Sequence, residues 1–376
     1  VAYSWVACEA RTGIVITDLA DLNVDKIGVT IGDYTSTQAT LPVPTAPADW
    51  ERATEGGGAY LVALDEDTDQ PVWGGLILGR ERDHTNVVKL APVVTLESYF
   101  DRRYVGDSPY TNVGQNAIVA DLIQKYIISG SNGGLPCTVV NLDGAPGTLR
   151  TRTEYTDDSD KTILSVLTEL MGVDGGPEWT IGWQSAYVSG VRRITPVVYI
   201  GSRIGTDPIP GLSPNAVFDM VQVAAFGGGV AYAGGNLQSF SYKEDWSSSG
   251  GANDVLATST ANADSRPEST HVVTVDPDRP TYEYRFTPST SITNVSTLQA
   301  HAVSESAEIS NGVNTLAMTA VVDDAPRLNT DWFIGDAIGF DIQTPSFPEG
   351  LTGSARCTGW ELAFGDVDTI TPTLTL

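Results

Sequence analysis

A chain of 376 residues, 41% hydrophobic and holding 8 Trp and 14 Tyr, is too long for one ordinary core and has material for about two to four packed domains. Its 47 acidic and 21 basic residues leave a formal charge of −26, which repels phosphate backbones and excludes sequence-specific nucleic-acid binding through a basic stripe. The same charge reads as a solubility device or, more sharply, as an anionic surface that DNA passes without sticking.

With 38 Gly and 21 Pro beside abundant Thr, Val and Ser, the composition favours many short strands joined by tight turns, so the expected fold class is mainly β. The opening segment, Val1 to Leu22, is interrupted by Glu9, Arg11 and Asp18 and does not read as a signal peptide. No uncharged apolar run approaches the ~18 to 20 residues needed to cross a bilayer, and no membrane insertion is expected. Cys8, Cys137 and Cys357 are odd in number and far apart, which describes buried small hydrophobes in a reducing cytoplasm.

In chain order, Tyr3, Trp5 and Ala7 share one face of an opening strand, and Gly13 precedes a second run from Ile14 to Ile16. Pro42, Pro44 and Pro47 mark Leu41 to Asp49 as a projecting loop that continues through Trp50 to Gly58. Tyr60 to Leu64 pairs with Val72 to Leu78 across the acidic turn Asp65 to Gln70.

The apolar spacing predicts a helix over 112–129, with Asn112 and Gln115 as a capping box and Gly130 as its stop. A second helix follows from Ile163, Leu164, Val166, Leu167, Leu170 and Met171, with Asp157, Asp158 and Asp160 at its positive end and Gly172 closing it. Trp179 to Trp183 reads as a strand packed on that helix. Strands are expected at Val197 to Ile200 and Val217 to Phe226, a loop over Gly227 to Ala263, and a third helix from Asn294 to Glu308. The end returns to strands at Val313 to Val322, Ile338 to Ile342, Arg356 to Phe364 and Thr369 to Leu376.

Several of these stretches, in this order, resemble the tail-hub (baseplate hub, tail-associated) family of bacteriophages, including minor tail proteins of phages infecting actinobacteria. In the first part they are Val72-Trp73-Gly74-Gly75-Leu76-Ile77-Leu78, Lys89-Leu90-Ala91-Pro92 and Leu96-Glu97-Ser98-Tyr99-Phe100-Asp101-Arg102-Arg103-Tyr104-Val105. Asp157 to Gly172 followed by Glu178-Trp179 is similar to the family's middle helix and strand. Near the end come Asp331-Trp332-Phe333-Ile334-Gly335-Asp336-Ala337-Ile338 and Arg356-Cys357-Thr358-Gly359-Trp360-Glu361-Leu362. These are packing signatures, and their order carries the resemblance.

The resemblance implies two tail-tube-like β-barrels with peripheral α+β domains, divided as a first barrel over 1–105, a two-helix α+β domain over 106–190, a second barrel over 191–290 with a long loop at 227–263, and a helix and strands completing it over 291–376. It further implies a homotrimeric virion protein, assembled in the host bacterial cytoplasm, that closes the tail tube at the tail tip. Its neighbours there would be the distal tail protein or tube, the tape-measure protein, and a tail fibre or other minor tail proteins. Many relatives carry a C-terminal extension with a peptidoglycan-cleaving or receptor-binding domain; this chain stops at Leu376, and such activity is expected to reside in another subunit.

No catalytic residue, metal ligand or cofactor site is assigned. Asp65, Asp67 and Asp69 begin like a calcium loop, but Gln70 occupies the sharp-turn position and Leu76 the bidentate-Glu position. Gly106-Asp107-Ser108 has the look of an esterase nucleophile motif, yet His84, His271 and His301 are the only bases of the required type and none lies near the C-terminus. Neither the histidines nor the cysteines have zinc spacing, and Gly227-Gly228-Gly229 and Gly234-Gly235 lack the lysine and helix of a phosphate cradle. The rival reading is a carbohydrate-binding or glycan-degrading β protein, with Trp50 and Trp246 as stacking platforms. A carboxylate pair at glycosidase separation is a distance that sequence does not supply.

Overall fold

The structure is a computed structural model and describes residues 2–207, 214–224, 230–247, 250–260, 266–288, 290, 292–310 and 312–375. Strand outweighs helix by 47% to 15%, so the protein is mainly β with α+β parts, as its composition predicts. The chain forms two compact units, one of Val1–Met171, Gly176–Phe240 and Ala317–Thr375, the other of Gly172–Gly175 and Ser241–Leu316.

The first unit contains a sheet in the order β2 (Val15–Asp18), β1 (Tyr3–Glu9), β6 (Ala59–Asp65), β7 (Gln70–Ile77), β9 (Val87–Thr95), β5 (Ser36–Pro42) and β3 (Asn23–Val24), with β8 (Arg80–Arg82) also on β9. The β6–β7 hairpin has the expected register, Tyr60 opposite Leu76 and Val62 opposite Gly74. Both faces of β6 are buried, as its unbroken apolar run dictates.

A second sheet runs β16 (Val230–Gly235), β15 (Val217–Ala224), β22 (Ala337–Thr344), β23 (Phe347–Ala363), β24 (Thr369–Thr375), β21 (Val313–Val321) and β17 (Leu237–Asp245). Its eighth strand, β4 (Lys26–Thr30), pairs with β23 from Gly359 to Ala363. Strand β3 therefore serves the first sheet and β4 the second, with the handover at Asp25.

Next to the first sheet lie the two-stranded β10 (Tyr110–Gly114) and β12 (Leu149–Arg152), and a three-stranded sheet of β11 (Thr138–Asn141), β14 (Val191–Gly201) and β13 (Glu178–Val188). Short helices α1 (Trp50–Ala53) and α2 (Glu97–Phe100) precede α3 (Gln115–Leu122) and α4 (Ile163–Met171). One continuous core joins Val6, Tyr60 and Val62 of the first sheet to Ile118 and Leu122 of α3, Val166 and Leu170 of α4, and Trp179 and Ile194 of the three-stranded sheet. Phe100 stacks on Trp179 with ring centroids 5.4 Å apart.

The second unit packs α5 (Val295–Ile309) on β18 (Asp254–Ala257), which pairs antiparallel with β19 (Val272–Val273) and parallel with β20 (Glu283–Phe286). Asn294 caps α5, its side chain accepting from the Ser296 N–H at 2.9 Å. Leu298 and Ala302 bury against Ala257, while Ile309 joins Val255 and Ala252.

Several expectations are corrected. Asn112 has a positive φ of 55° and sits in β10, so the helix starts at Gln115 after Gly114 and there is no capping box. Beyond Leu122 the helical turns widen through Ile128, and Arg103 closes them by donating to the carbonyls of Tyr126 and Ser129 at 2.6 and 3.2 Å. The acidic run 157–160 forms its own turn; α4 starts after Thr162, whose hydroxyl accepts from Ser165 N–H at 3.2 Å.

Leu41 is fully buried in β5, which shortens the projecting loop. The loop expected over 227–263 contains β16, β17 and β18; β17 exposes most of its polar side chains and alternates only briefly, at Phe240 and Tyr242. Across the chain, β4 joins the second sheet and β14 pairs with β13 and β11 in the three-stranded one. Strand pairing is not bound to chain contiguity.

Candidate functional site

What the first unit builds most deliberately is a set of couplings between its layers. Asp65 ends β6, and its Oδ1 accepts the N–H groups of Asp67 and Thr68 at 2.9 and 3.2 Å. Arg327 donates from Nε to Asp65 Oδ2 at 3.0 Å, from Nη2 to Asp65 Oδ1, and reaches Asp67 Oδ2 at 3.0 Å. Burial alone would raise the Asp65 carboxyl, but Arg327 and the turn N–H groups hold it below the usual carboxylate range. Asp69, on the same turn, takes Arg192 of β14 at 2.9 Å.

A second coupling pairs both Arg356 Nη atoms of β23 with the carboxylate of Glu178 at the start of β13. Glu178 Oε2 also accepts the Ile204 N–H at 2.7 Å, and Arg356 Nη2 donates to the Ile204 carbonyl at 2.9 Å. Two glycines meet beside it: a Cβ on Gly205, where φ is +81°, would lie 2.0 Å from the carbonyl carbon of Gly335. Only glycine fits this contact.

The third coupling is aromatic. Phe364, just past β23, meets Tyr3 and Trp5 of β1 edge-on at 5.8 and 5.7 Å, and Trp5 meets Trp73 at 6.2 Å. Trp73 Nε1 then donates to the Gly28 carbonyl of β4 at 3.0 Å. Sheet one and sheet two are thus joined by the β3 to β4 handover, an aromatic seam and the Trp73 to Gly28 hydrogen bond.

No protein-family model and no curated protein matches this sequence. Solved structures do. The tail protein from Neisseria meningitidis MC58 superposes with a TM-score of 0.55 at 12% identity, over 100% of this chain and 96% of that one. The 43 kDa tail protein of prophage MuSo2 from Shewanella oneidensis gives 0.56 at 10%, over 99% and 96%. Prophage tail protein gp18 from Listeria monocytogenes EGD-e gives 0.54 at 8%, over 98% and 94%. The fold is that of prophage tail proteins.

Within this fold the constellations singled out in the sequence take the following places. The acidic turn's three aspartates are engaged by Arg327 and Arg192, and among the described residues no cluster of three or more His, Cys, Asp or Glu converges as a metal site. Ser108 is buried, its hydroxyl 2.8 Å from the Tyr126 hydroxyl and its N–H donating to the Tyr155 carbonyl. Asp107 Oδ1 accepts the Asp157 N–H at 3.1 Å.

His84 is exposed on a turn, His301 lies on α5, and His271 pairs with Asp254 at 2.6 Å. Cys8 and Cys357 are buried and Cys137 half-buried, and burial pushes all three thiols up to about 12. Gly227, Gly228 and Gly229 lie outside the described residues, while Gly234 and Gly235 pair with β15. An open groove of about 390 Å³ is lined by Asp25, Lys26, Thr37 and Pro92, and its Lys26 is ion-paired with Glu361 at 2.8 Å.

Both tryptophans of the rival reading are half-buried, and each has one ring face covered: Arg82 lies over Trp50 at 4.8 Å and Arg279 over Trp246 at 4.6 Å. Sequence reasoning missed Arg192 and Arg327, and it named Glu178 and Arg356 only as parts of packing signatures, without their pairing. Arg327 meets Asp65 across 262 positions, and the available signal was the scarcity of basic residues, which makes each arginine beside an apolar motif a candidate clamp.

Proposed function

We propose that this chain is a structural, non-enzymatic subunit of a bacteriophage-type tail: a homotrimeric hub that closes the tail tube at the tip of the virion. It connects the distal tail protein or tube, and the tape-measure protein, to a central fibre or other minor tail proteins. The observation that carries the reading is the match to tail-protein folds over essentially the whole chain. Two eight-stranded sheets in one chain support it, because three copies would present six and stack on a sixfold tube. Cyclic association also buries sheet edges that would otherwise be open to aggregation.

The charge of −26 suits a wall that DNA slides past. At physiological salt the repulsion reaches only about 8 Å, enough to coat a lumen without filling it. A density map of the tail tip, with native mass spectrometry of the purified chain, tests the proposal. Three copies around an acidic lumen are expected. A monomer on the tail's outer face, or a lumen lined mainly by Lys and Arg, would overturn it.

A further inference from the structure

Glu97 opens α2 and is 1% exposed, yet among the described residues no cation forms an ion pair with it. The Thr95 hydroxyl and the Ile181 N–H hydrogen-bond to its carboxyl group, while Oε2 has no partner. The position is a junction. Thr95, which ends β9, exchanges bonds with Thr35, Thr95 N–H to the Thr35 carbonyl and Thr35 N–H to the Thr95 hydroxyl, both at 3.0 Å. Thr35 belongs to the loop 31–35 that follows β4. At its other end Ile31 donates to the Thr358 carbonyl of β23 at 2.9 Å. A Cβ on Gly32 would lie 2.4 Å from the Met171 side chain of α4. The loop is therefore wedged among both large sheets, α4 and the Trp179 neighbourhood of β13.

We propose that Glu97 is a proton-controlled latch of this joint: its neutral carboxyl group holds loop 31–35, the start of α2 and β13 closed, and loss of the proton loosens them. Ionised, the group is a buried anion with Asp33 of the loop as its charged neighbour, and such an anion is costly without a cation. Thr95 of β9 and Ile181 of β13 reach the carboxyl group and neither is charged; Ser98, Trp179 and Thr180, adjacent in sequence to Glu97 and Ile181, each carry a buried polar atom that has no partner. Glu178, the nearest acid along β13, is held by Arg356. The latch is a property of the first unit and does not depend on the tail reading.

Burial pushes the Glu97 carboxyl up to about 7; the Thr95 hydroxyl and the N–H groups of Glu97 and Ile181 pull the other way, and Asp33 adds to the rise. A raised native value means that closure is strongest below the ordinary value of 4.5, weakens as pH rises toward 7, and levels off above it. Opening of the joint should therefore increase about tenfold per pH unit within that window.

Hydrogen exchange of the full chain between pH 5 and 8, corrected for intrinsic rates, should show this trend in 31–35, 95–100 and 178–181. Glu97→Gln should flatten the trend there and leave other segments as in the parent. Superimposable profiles of parent and Glu97→Gln would overturn the proposal. Infrared spectroscopy of the parent chain with carboxyl-labelled Glu needs no variant: a neutral-carboxyl band disappearing near pH 7 supports the latch, and absence of that band at pH 6 overturns it.

Discussion

Arg327 and Asp65 face each other across the sheet junction as a two-point pair, Nε to Oδ2 and Nη2 to Oδ1, with Asp65 only 6% exposed at its side chain. Removing one partner of such a pair strands the other charge. Arg327→Ala is expected to lower the stability of the first unit by about 2 to 3 kcal/mol, allowing for the solvent that reaches the arginine. Urea titration monitored by Trp fluorescence measures it.

The same pair sets a response to acid. The native Asp65 carboxyl titrates below its ordinary value of 3.8, so its contribution is present above that value and is lost as pH falls through the native one. Asp65→Asn should be less stable than the parent at pH 6, and the gap should narrow as pH falls below the ordinary value of 3.8. Thermal melts at pH 6 and in acid check the sign, and a gap that widened in acid would contradict it.

For Glu178 and Arg356 the informative experiment is a double-mutant cycle. Both nitrogens of the guanidinium fork are engaged, so Arg356→Lys should restore little of what Arg356→Ala loses. The coupling energy from Glu178→Ala, Arg356→Ala and the double variant should be about 1 to 3 kcal/mol. A coupling near zero would mean that the Ile204 contacts, and not the ion pair, hold this corner.

The glycines make a controlled pair. Gly205→Ala drives a Cβ into the Gly335 backbone at a positive φ and should cost more than about 3 kcal/mol. Gly57 has a φ of +74° with nothing within 4 Å of a Cβ, so Gly57→Ala should cost only about 1 to 2 kcal/mol of backbone strain. Equal melting temperatures for the two variants would show that the Gly205 to Gly335 approach relaxes freely.

Catalysis should be absent. Incubated with peptidoglycan, cell-wall glycans or ester substrates, the purified chain should match buffer, and Ser108→Ala and Asp65→Asn should match it too. Turnover abolished by either substitution would contradict the structural reading.

Elements whose residues meet near neighbours were legible in the sequence. The β6–β7 hairpin, α4 and α5 follow from apolar spacing and turn chemistry, and α5 was misplaced by a single residue at each end. What was hidden depends on distant partners. Lys26 to Thr30 lies within the span 1–105 expected to form the first barrel, and only pairing with Gly359 to Ala363 places it in the second sheet. Asn112 carries a good cap residue's side chain, but its positive φ within an irregular strand pair removes it from the helix. The pairing of the arginine clamps was hidden because a carboxylate at 65 does not say that its cation stands at 327. Order along the chain, by contrast, carried the resemblance, since packing motifs in sequence survive when no single one is diagnostic.

The handover at Asp25 also governs how this chain can change. Replacing residues 1–105 as a block would take β4 away from β23 together with the first sheet, leaving the row from Gly359 to Ala363 without its outer neighbour. A foreign segment would have to arrive with a matching strand in the same register, because a slip of a single residue turns every side chain on it to the wrong face. The two sheets are consequently a single heritable piece, and viable recombination must cut outside the stretch that both of them share.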